Sequence, residues 1–320
     1  MKKRMLMGWL VLPTVATAGL NDSGQAQCYD GADLTPCTAE TAGDATDYPR
    51  QDGRFGRDTR APGLDIQPLD EQGGMTAQAP PACLSDRRTG LTWELLATGT
   101  PRAALPWDQV AALAASLNER AYCGLRTWRL PSHQELQSIV DYGRLAPAID
   151  PKHFTDATHE SYWTADLLVG KPDAVWTIQF IDGGSRPTPK ASAQRVRLVA
   201  SAPQTGRAPL TVQADGGVYD KDTGLIWDRC SIGQLGEDCS QGAAQRLTWS
   251  DALRASVEAN TRRHKGHQDW RLPNVKELLS LADLARPCPT IDAAAFPKTV
   301  CDWYWSSTPR AGEPGRAWDV

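Results

Sequence analysis

The sequence is poor in the patterns that announce chemistry. It contains no Cys-x-x-Cys, and its five histidines are scattered, so zinc has no ligand set at its usual spacing. No Ser-His-Asp grouping, no His-Glu-x-x-His and no close carboxylate pair stands at repeated positions, which removes the common hydrolytic signatures. There is no Gly-x-y repeat, which excludes a collagen triple helix. Beyond the N-terminal segment, no stretch is long and apolar enough to span a bilayer, so no transmembrane segment is expected in the mature chain. Neither sign of charge dominates: 34 Lys and Arg stand against 38 Asp and Glu, a net charge of −4. An acidic chain of this kind is a poor partner for nucleic acid.

Tryptophan, by contrast, is plentiful, and it marks a duplication. Trp128-Arg129-Leu130-Pro131 returns as Trp270-Arg271-Leu272-Pro273, an offset of 142 residues. Trp107, Ile149, Asp150, Phe154, Tyr162, Trp163 and Trp176 recur at the same offset as Trp249, Ile291, Asp292, Phe296, Tyr304, Trp305 and Trp318. Thr89-Gly90-Leu91-Thr92-Trp93 returns as Thr223-Gly224-Leu225-Ile226-Trp227 at an offset of 134, so the second copy carries eight more residues between Trp227 and Trp249 than the first carries between Trp93 and Trp107. Ten of the 12 Trp thus fall into five matched pairs: Trp93 and Trp227, Trp107 and Trp249, Trp128 and Trp270, Trp163 and Trp305, Trp176 and Trp318. Repeated positions of such large apolar area are expected to be core.

The first 18 residues have the form of a secretory signal: basic Lys2, Lys3 and Arg4, an apolar run from Met5 to Val15, and the small-residue site Ala16-Thr17-Ala18. Its removal would take away three positive charges and move the chain from −4 to −7. The expected location is outside the cytoplasm: periplasmic, cell-surface or secreted. In that oxidising setting the eight cysteines read as disulfides. The expected pairing is local: Cys28–Cys37, Cys83–Cys123, Cys230–Cys239 and Cys288–Cys301.

Along the chain, residues 19–82 are rich in Gly, Asp, Thr, Gln and Pro and read as an irregular leader lying over the first copy. The first domain is expected over residues 83–200, a linker over 201–216 and the second domain over 217–320, the latter incomplete at its C-terminal end. In the first copy, Leu91–Trp93 alternates as a strand. Val110, Leu113, Ala114 and Leu117 give the next element one apolar helical face. After Trp-Arg-Leu-Pro, Ser132 and Glu135 form a capping box, and Asn274 and Glu277 repeat it. Asp182-Gly183-Gly184 then turns a strand through Trp176 into a return strand over 194–199. In the second copy the counterpart of that return strand is missing, so the strand through Trp318 is expected to borrow a partner or stand as an edge. Arg262-Arg263-His264-Lys265, the one basic run, reads as a solvated loop.

This order of elements, with Thr-Gly-Leu-x-Trp, Trp-Arg-Leu-Pro followed by Glu-Leu, Tyr304-Trp305-Ser306-Ser307 and Ala317-Trp318-Asp319-Val320, resembles the Lcl C-terminal domain family, named for the end domain of a bacterial collagen-like adhesin. The Arg-Leu-Pro and capped-helix stretch is also similar to the formylglycine-generating sulfatase-modifying group. The resemblance implies an α+β chain of two tandem C-type-lectin-like domains, each a twisted antiparallel sheet region with two helices. It implies an exported, non-enzymatic binding protein whose unknown extracellular or envelope ligand is a glycan or a protein, as in adhesion. The alternatives are an enzyme of the formylglycine-generating type and a structural envelope protein. The tripeptides of calcium-dependent sugar binding, Glu-Pro-Asn, Gln-Pro-Asp and Trp-Asn-Asp, do not occur. Asp150 and Asp292 offer calcium one loop carboxylate per copy, which is not a site, so no cofactor or metal is expected. No catalytic residue is expected, and the ligand-binding residues are not legible.

Overall fold

The structure, a computed structural model, describes residues 7–13, 20–55, 64–96, 102–201 and 208–320. The chain forms two compact units: residues 63–206, and residues 1–62 together with 207–320. Both mix short helices with small antiparallel sheets, an α+β construction.

In the unit built on the first copy, a four-stranded sheet runs in the order Val199–Ala200, Leu91–Glu94, Cys83–Asp86, Ile66–Leu69. Asp86 shapes the hairpin between its two middle strands by accepting from the Arg88 amide at 3.0 Å and the Thr89 hydroxyl at 2.8 Å. A three-stranded sheet follows, Ser161–Leu168, Lys171–Gln179 and Ser185–Pro189. The helix Val110–Glu119 lays Val110, Ala114 and Leu117 against Trp128, Trp163, Val175 and Leu198, the core of this unit.

Two expectations change here. The strand returning from the Asp182-Gly183-Gly184 turn is Ser185–Pro189, whereas Val199–Ala200 pairs with the Leu91–Glu94 strand and Arg195 bonds back to Ser161 and Trp163. The second helix is shorter than its apolar pattern suggests. It ends at Ser138, and Ile139 and Val140 are buried just beyond it.

The leader also departs from its expected place. Ile66–Leu69 is a strand of the first copy's sheet, which therefore begins well before Cys83. Residues 20–55 pack on the second copy, not the first. Tyr29 and Tyr48 meet the Trp249 ring at 6.5 and 5.5 Å. The Gln25 amide donates to the Pro309 carbonyl at 2.9 Å, and the Thr308 hydroxyl to Asp52 at 2.7 Å. The corresponding ring of the first copy, Trp107, is covered by Lys190 at 4.9 Å, just after its own return strand.

The second copy repeats the plan with the strands Gly217–Asp220, Leu225–Asp228, Trp305–Pro309 and Ala317–Asp319 and the helices Trp249–Thr261 and Val275–Ser280. Its four-stranded sheet is completed by Val11–Pro13, a strand drawn from the stretch that reads as a signal. The predicted cleavage site after Ala18 lies outside the described residues, as do residues 202–207 of the linker. The Ala317–Asp319 strand pairs with Trp305–Pro309 alone among the described strands, which leaves the edge expected beside Trp318. Among the described residues no helix is long and apolar enough to cross a membrane.

Candidate functional site

Each repeated motif resolves into a structural device. Ser132 accepts from the Glu135 amide at 3.1 Å, and the Glu135 carboxylate accepts from the Ser132 amide at 2.7 Å. The same carboxylate takes both terminal nitrogens of Arg129, at 2.7 and 2.6 Å. Asn274, Glu277 and Arg271 repeat the arrangement with both Arg271 contacts at 2.6 Å. Arg and Glu thus lock the Trp-Arg-Leu-Pro strand to the helix cap and leave the carboxylate fully engaged. Trp93, Trp128, Trp163, Trp227, Trp249, Trp270 and Trp305 are buried, while Trp107, Trp176 and Trp318 are half-buried.

A third device lay unnoticed in the sequence. The Asn118 side chain donates to the Trp128 carbonyl at 3.0 Å and accepts from the Trp128 amide at 2.7 Å, as a strand neighbour would. Asn260 treats Trp270 identically, at 2.8 and 2.7 Å. The signal was available, since these asparagines also recur at the offset of 142.

The eight cysteines pair as Cys28–Cys37, Cys83–Cys123, Cys230–Cys239 and Cys288–Cys301. Where the first copy has Cys123, the second has Lys265, whose ammonium donates to the Gly216 carbonyl at 2.7 Å and lies 3.4 Å from Asp228. His264 contacts the same carboxylate at 2.7 Å. Half of the basic run expected to be solvated is therefore a clamp on Asp228.

One polar network of the first copy has the residue types of a catalytic site. His133 Nε2 lies 2.6 Å from the Ser185 hydroxyl, and Gln137 donates to the same hydroxyl at 3.0 Å. Burial pushes His133 down to about 4, so the ring is neutral and a weak base. Burial pushes the Tyr142 hydroxyl, bonded to Gln137, upward. The network pins the turn at Gly183, where φ is +90° and an added Cβ would stand 2.6 Å from Val140. It holds a loop in place.

The copies differ most in their loops. In the second, a small hairpin pairs Gln234–Leu235 with Gln241–Gly242 and is closed by Cys230–Cys239. A second loop is closed by Cys288–Cys301. The two are joined: Gln234 donates to the Lys298 carbonyl at 3.1 Å, and Arg229 donates to the carbonyls of Glu237, Ala294 and Ala295 at 2.7, 3.1 and 3.1 Å. On this braced cluster Leu235 is 60% and Trp303 54% exposed, and Val300 is exposed three residues before Trp303. The Trp303 backbone is fixed by the Met7 amide at 3.0 Å, while Arg246 is paired with Asp302. Only Trp9 and Trp303 fall outside the matched pairs, and this asymmetry is the sequence signal that points to them.

The sequence model of the Lcl C-terminal domain matches residues 82–200 and again 216–320. The chain belongs to the Lcl C-terminal domain family. Two Lcl C-terminal domains thus stand in tandem, and the braced loops belong to the second. The first match ends at Ala200, on the closing strand of that copy, whereas Met7–Leu12 lies outside both matches. No curated protein matches the chain.

Proposed function

We propose that the chain is an exported, non-enzymatic binding protein in which two C-type-lectin-like modules serve as rigid cores, and that the second displays Trp303 and Leu235 to a glycan. The observation that carries this reading is the exposed Trp303 indole on loops stiffened by two disulfides, in a chain whose other tryptophans are all buried or half-buried. A flat, pre-ordered apolar ring binds with little loss of conformational freedom and is the type of group that dominates recognition surfaces. It can stack on the C–H face of a sugar ring. Export is supported by the signal-like N-terminus and by four disulfides, which persist in oxidising compartments. The bonding of all eight cysteines disfavours the redox-thiol enzyme considered from sequence.

A glycan array probed with the purified chain tests the reading. Selective binding is expected, lost in Trp303→Ala at an unchanged melting temperature. Equal binding by Trp303→Ala, or no glycan bound by the parent, would reject it; retention of Met1 in exported material would reject the processing expected after Ala18.

A further inference from the structure

The two domains close in the same way but with strands from different parts of the chain. In the first copy the closing segment is Arg195–Ala200. Arg195 donates to the Ser161 carbonyl at 2.9 Å and accepts from the Trp163 amide at 3.0 Å. Val199 exchanges both bonds with Arg129, at 2.9 and 3.0 Å, and the Leu198 carbonyl accepts from the Glu94 amide at 3.1 Å. In the second copy Met7 donates to Trp303 at 3.0 Å and accepts from Trp305 at 2.9 Å. Val11 exchanges both bonds with Arg271, at 2.8 and 2.9 Å, and Leu10 accepts from Asp228 at 2.9 Å. All five bonds correspond, acceptor residue for acceptor residue, through the repeat offsets.

Side chains correspond as well. The Arg197 guanidinium lies over Phe154 and Tyr162 at 5.0 and 5.8 Å. In the second copy Trp9 takes that position, 5.5 Å from Phe296 and stacked 4.2 Å from Tyr304. Arg-Val-Arg-Leu-Val-Ala and Met-Gly-Trp-Leu-Val-Leu share only Leu and Val at the fourth and fifth positions. The slot therefore reads backbone direction, a flat group at the third position and an aliphatic pair after it.

We propose that the second domain is a strand-acceptor site for an extended peptide of six residues with Trp or Arg third, Leu fourth and Val fifth, and that Met7–Leu12 is its resident occupant. Recognition is by strand addition: main-chain bonds supply affinity and alternate side chains supply selectivity. Cleavage after Ala18 would carry the occupant away and open the site to such a peptide. That vacancy rests on the export reading above, whereas acceptance of strands does not.

The test uses the full chain with a protease site placed in residues 14–19, folded and then cut. The probes are fluorescein-labelled Met-Gly-Trp-Leu-Val-Leu and Arg-Val-Arg-Leu-Val-Ala, with a control carrying proline at the fifth position. Both probes are expected to bind the cut chain saturably and the uncut chain not at all. The control is expected to bind about tenfold or more weakly, because it cannot donate to the Arg271 carbonyl. Amides of Asp228, Arg271 and Trp305 should exchange slowly in the uncut chain, faster after cutting and dilution, and slowly again with either probe. If the resident strand stays bound after cutting, Trp9→Ala in the cut chain weakens it and the probes should then enter. Failure of both probes to enter that variant, equal binding of the proline control, or equal binding to the uncut chain overturns the proposal. N-terminal sequencing of exported protein separately decides whether the slot is vacated by processing, so the failure of one idea leaves the other intact.

Discussion

Trp9 stacks on Tyr304 with ring centroids 4.2 Å apart and planes 14° from parallel. The contact joins the ninth residue of the chain to the strand region of a domain that begins more than two hundred residues later. Trp9 is buried and also meets Phe296, so Trp9→Ala should cost the second domain about 3–5 kcal/mol. Denaturant unfolding of the full chain should show the loss, with Trp305 amide protection falling and Trp163 amide protection unchanged. Unaltered stability would mean that the stack contributes nothing.

Trp128 and Trp270 anchor their domains through both ring and backbone. Each indole N–H donates to a backbone carbonyl, Tyr122 at 2.9 Å and His264 at 2.8 Å. Trp128→Ala and Trp270→Ala are each expected to cost about 3–5 kcal/mol, as for other buried aromatics. Loss of ligand binding with full stability would instead make these rings contact residues.

The paired Arg–Glu locks should respond unequally. The side chains of Arg271 and Glu277 are 4% and 1% exposed, those of Arg129 and Glu135 41% and 14%. Glu277→Gln leaves a buried guanidinium without its counter-charge and should cost about 3–5 kcal/mol. Glu135→Gln should cost about 1 kcal/mol, because water reaches its Arg. Matched denaturant curves check the order, and equal losses would contradict it.

The two units should answer acid in opposite directions. Burial pushes Asp52 up to about 7 from 3.8, against hydrogen bonds from Thr308 and Ser23 and with Glu277 and Asp22 adding to the rise. The folded chain then binds more protons than the unfolded chain between these values, so this unit gains stability as pH falls from about 7 towards 4. Burial pushes His133 down to about 4 from 6.5, so the other unit loses stability as pH falls through that window. Asp166, raised by burial, partly offsets the His133 effect. Melts at pH 5 and pH 8 should show Asp52→Asn removing the acid gain and His133→Gln the acid loss. Unchanged pH responses in both variants would refute this assignment.

What the sequence made legible is what it wrote twice. Matched tryptophans, capping boxes and the Trp-Arg-Leu-Pro stretch are local patterns, and each states its own geometry. The origin of the second domain's closing strand was not legible, because Met7–Leu12 is a short apolar run, and periodicity cannot tell such a run in a signal from a buried strand. Its partners lie far along the chain, and only Leu10 and Val11 match the first copy's Leu198 and Val199. The leader's attachment was hidden for a related reason: Asp52 and Gln25 meet Thr308 and Pro309 through single hydrogen bonds that leave no spacing pattern. The exposed Trp303 was visible only as a tryptophan without a counterpart.

The long reach of the Met7–Leu12 strand also sets a timetable. Its partners are Leu225–Asp228, Arg271 and Trp305, so none of them exists while the first copy is being synthesised. At about 5–20 residues per second, the segment is made roughly 15–60 s before Trp305. Through that interval the first domain can fold from its own contiguous residues, while the earliest apolar residues remain unclaimed. The segment is thus open to any other partner first and to its own domain only at the end of translation, so the order of synthesis decides what meets it first.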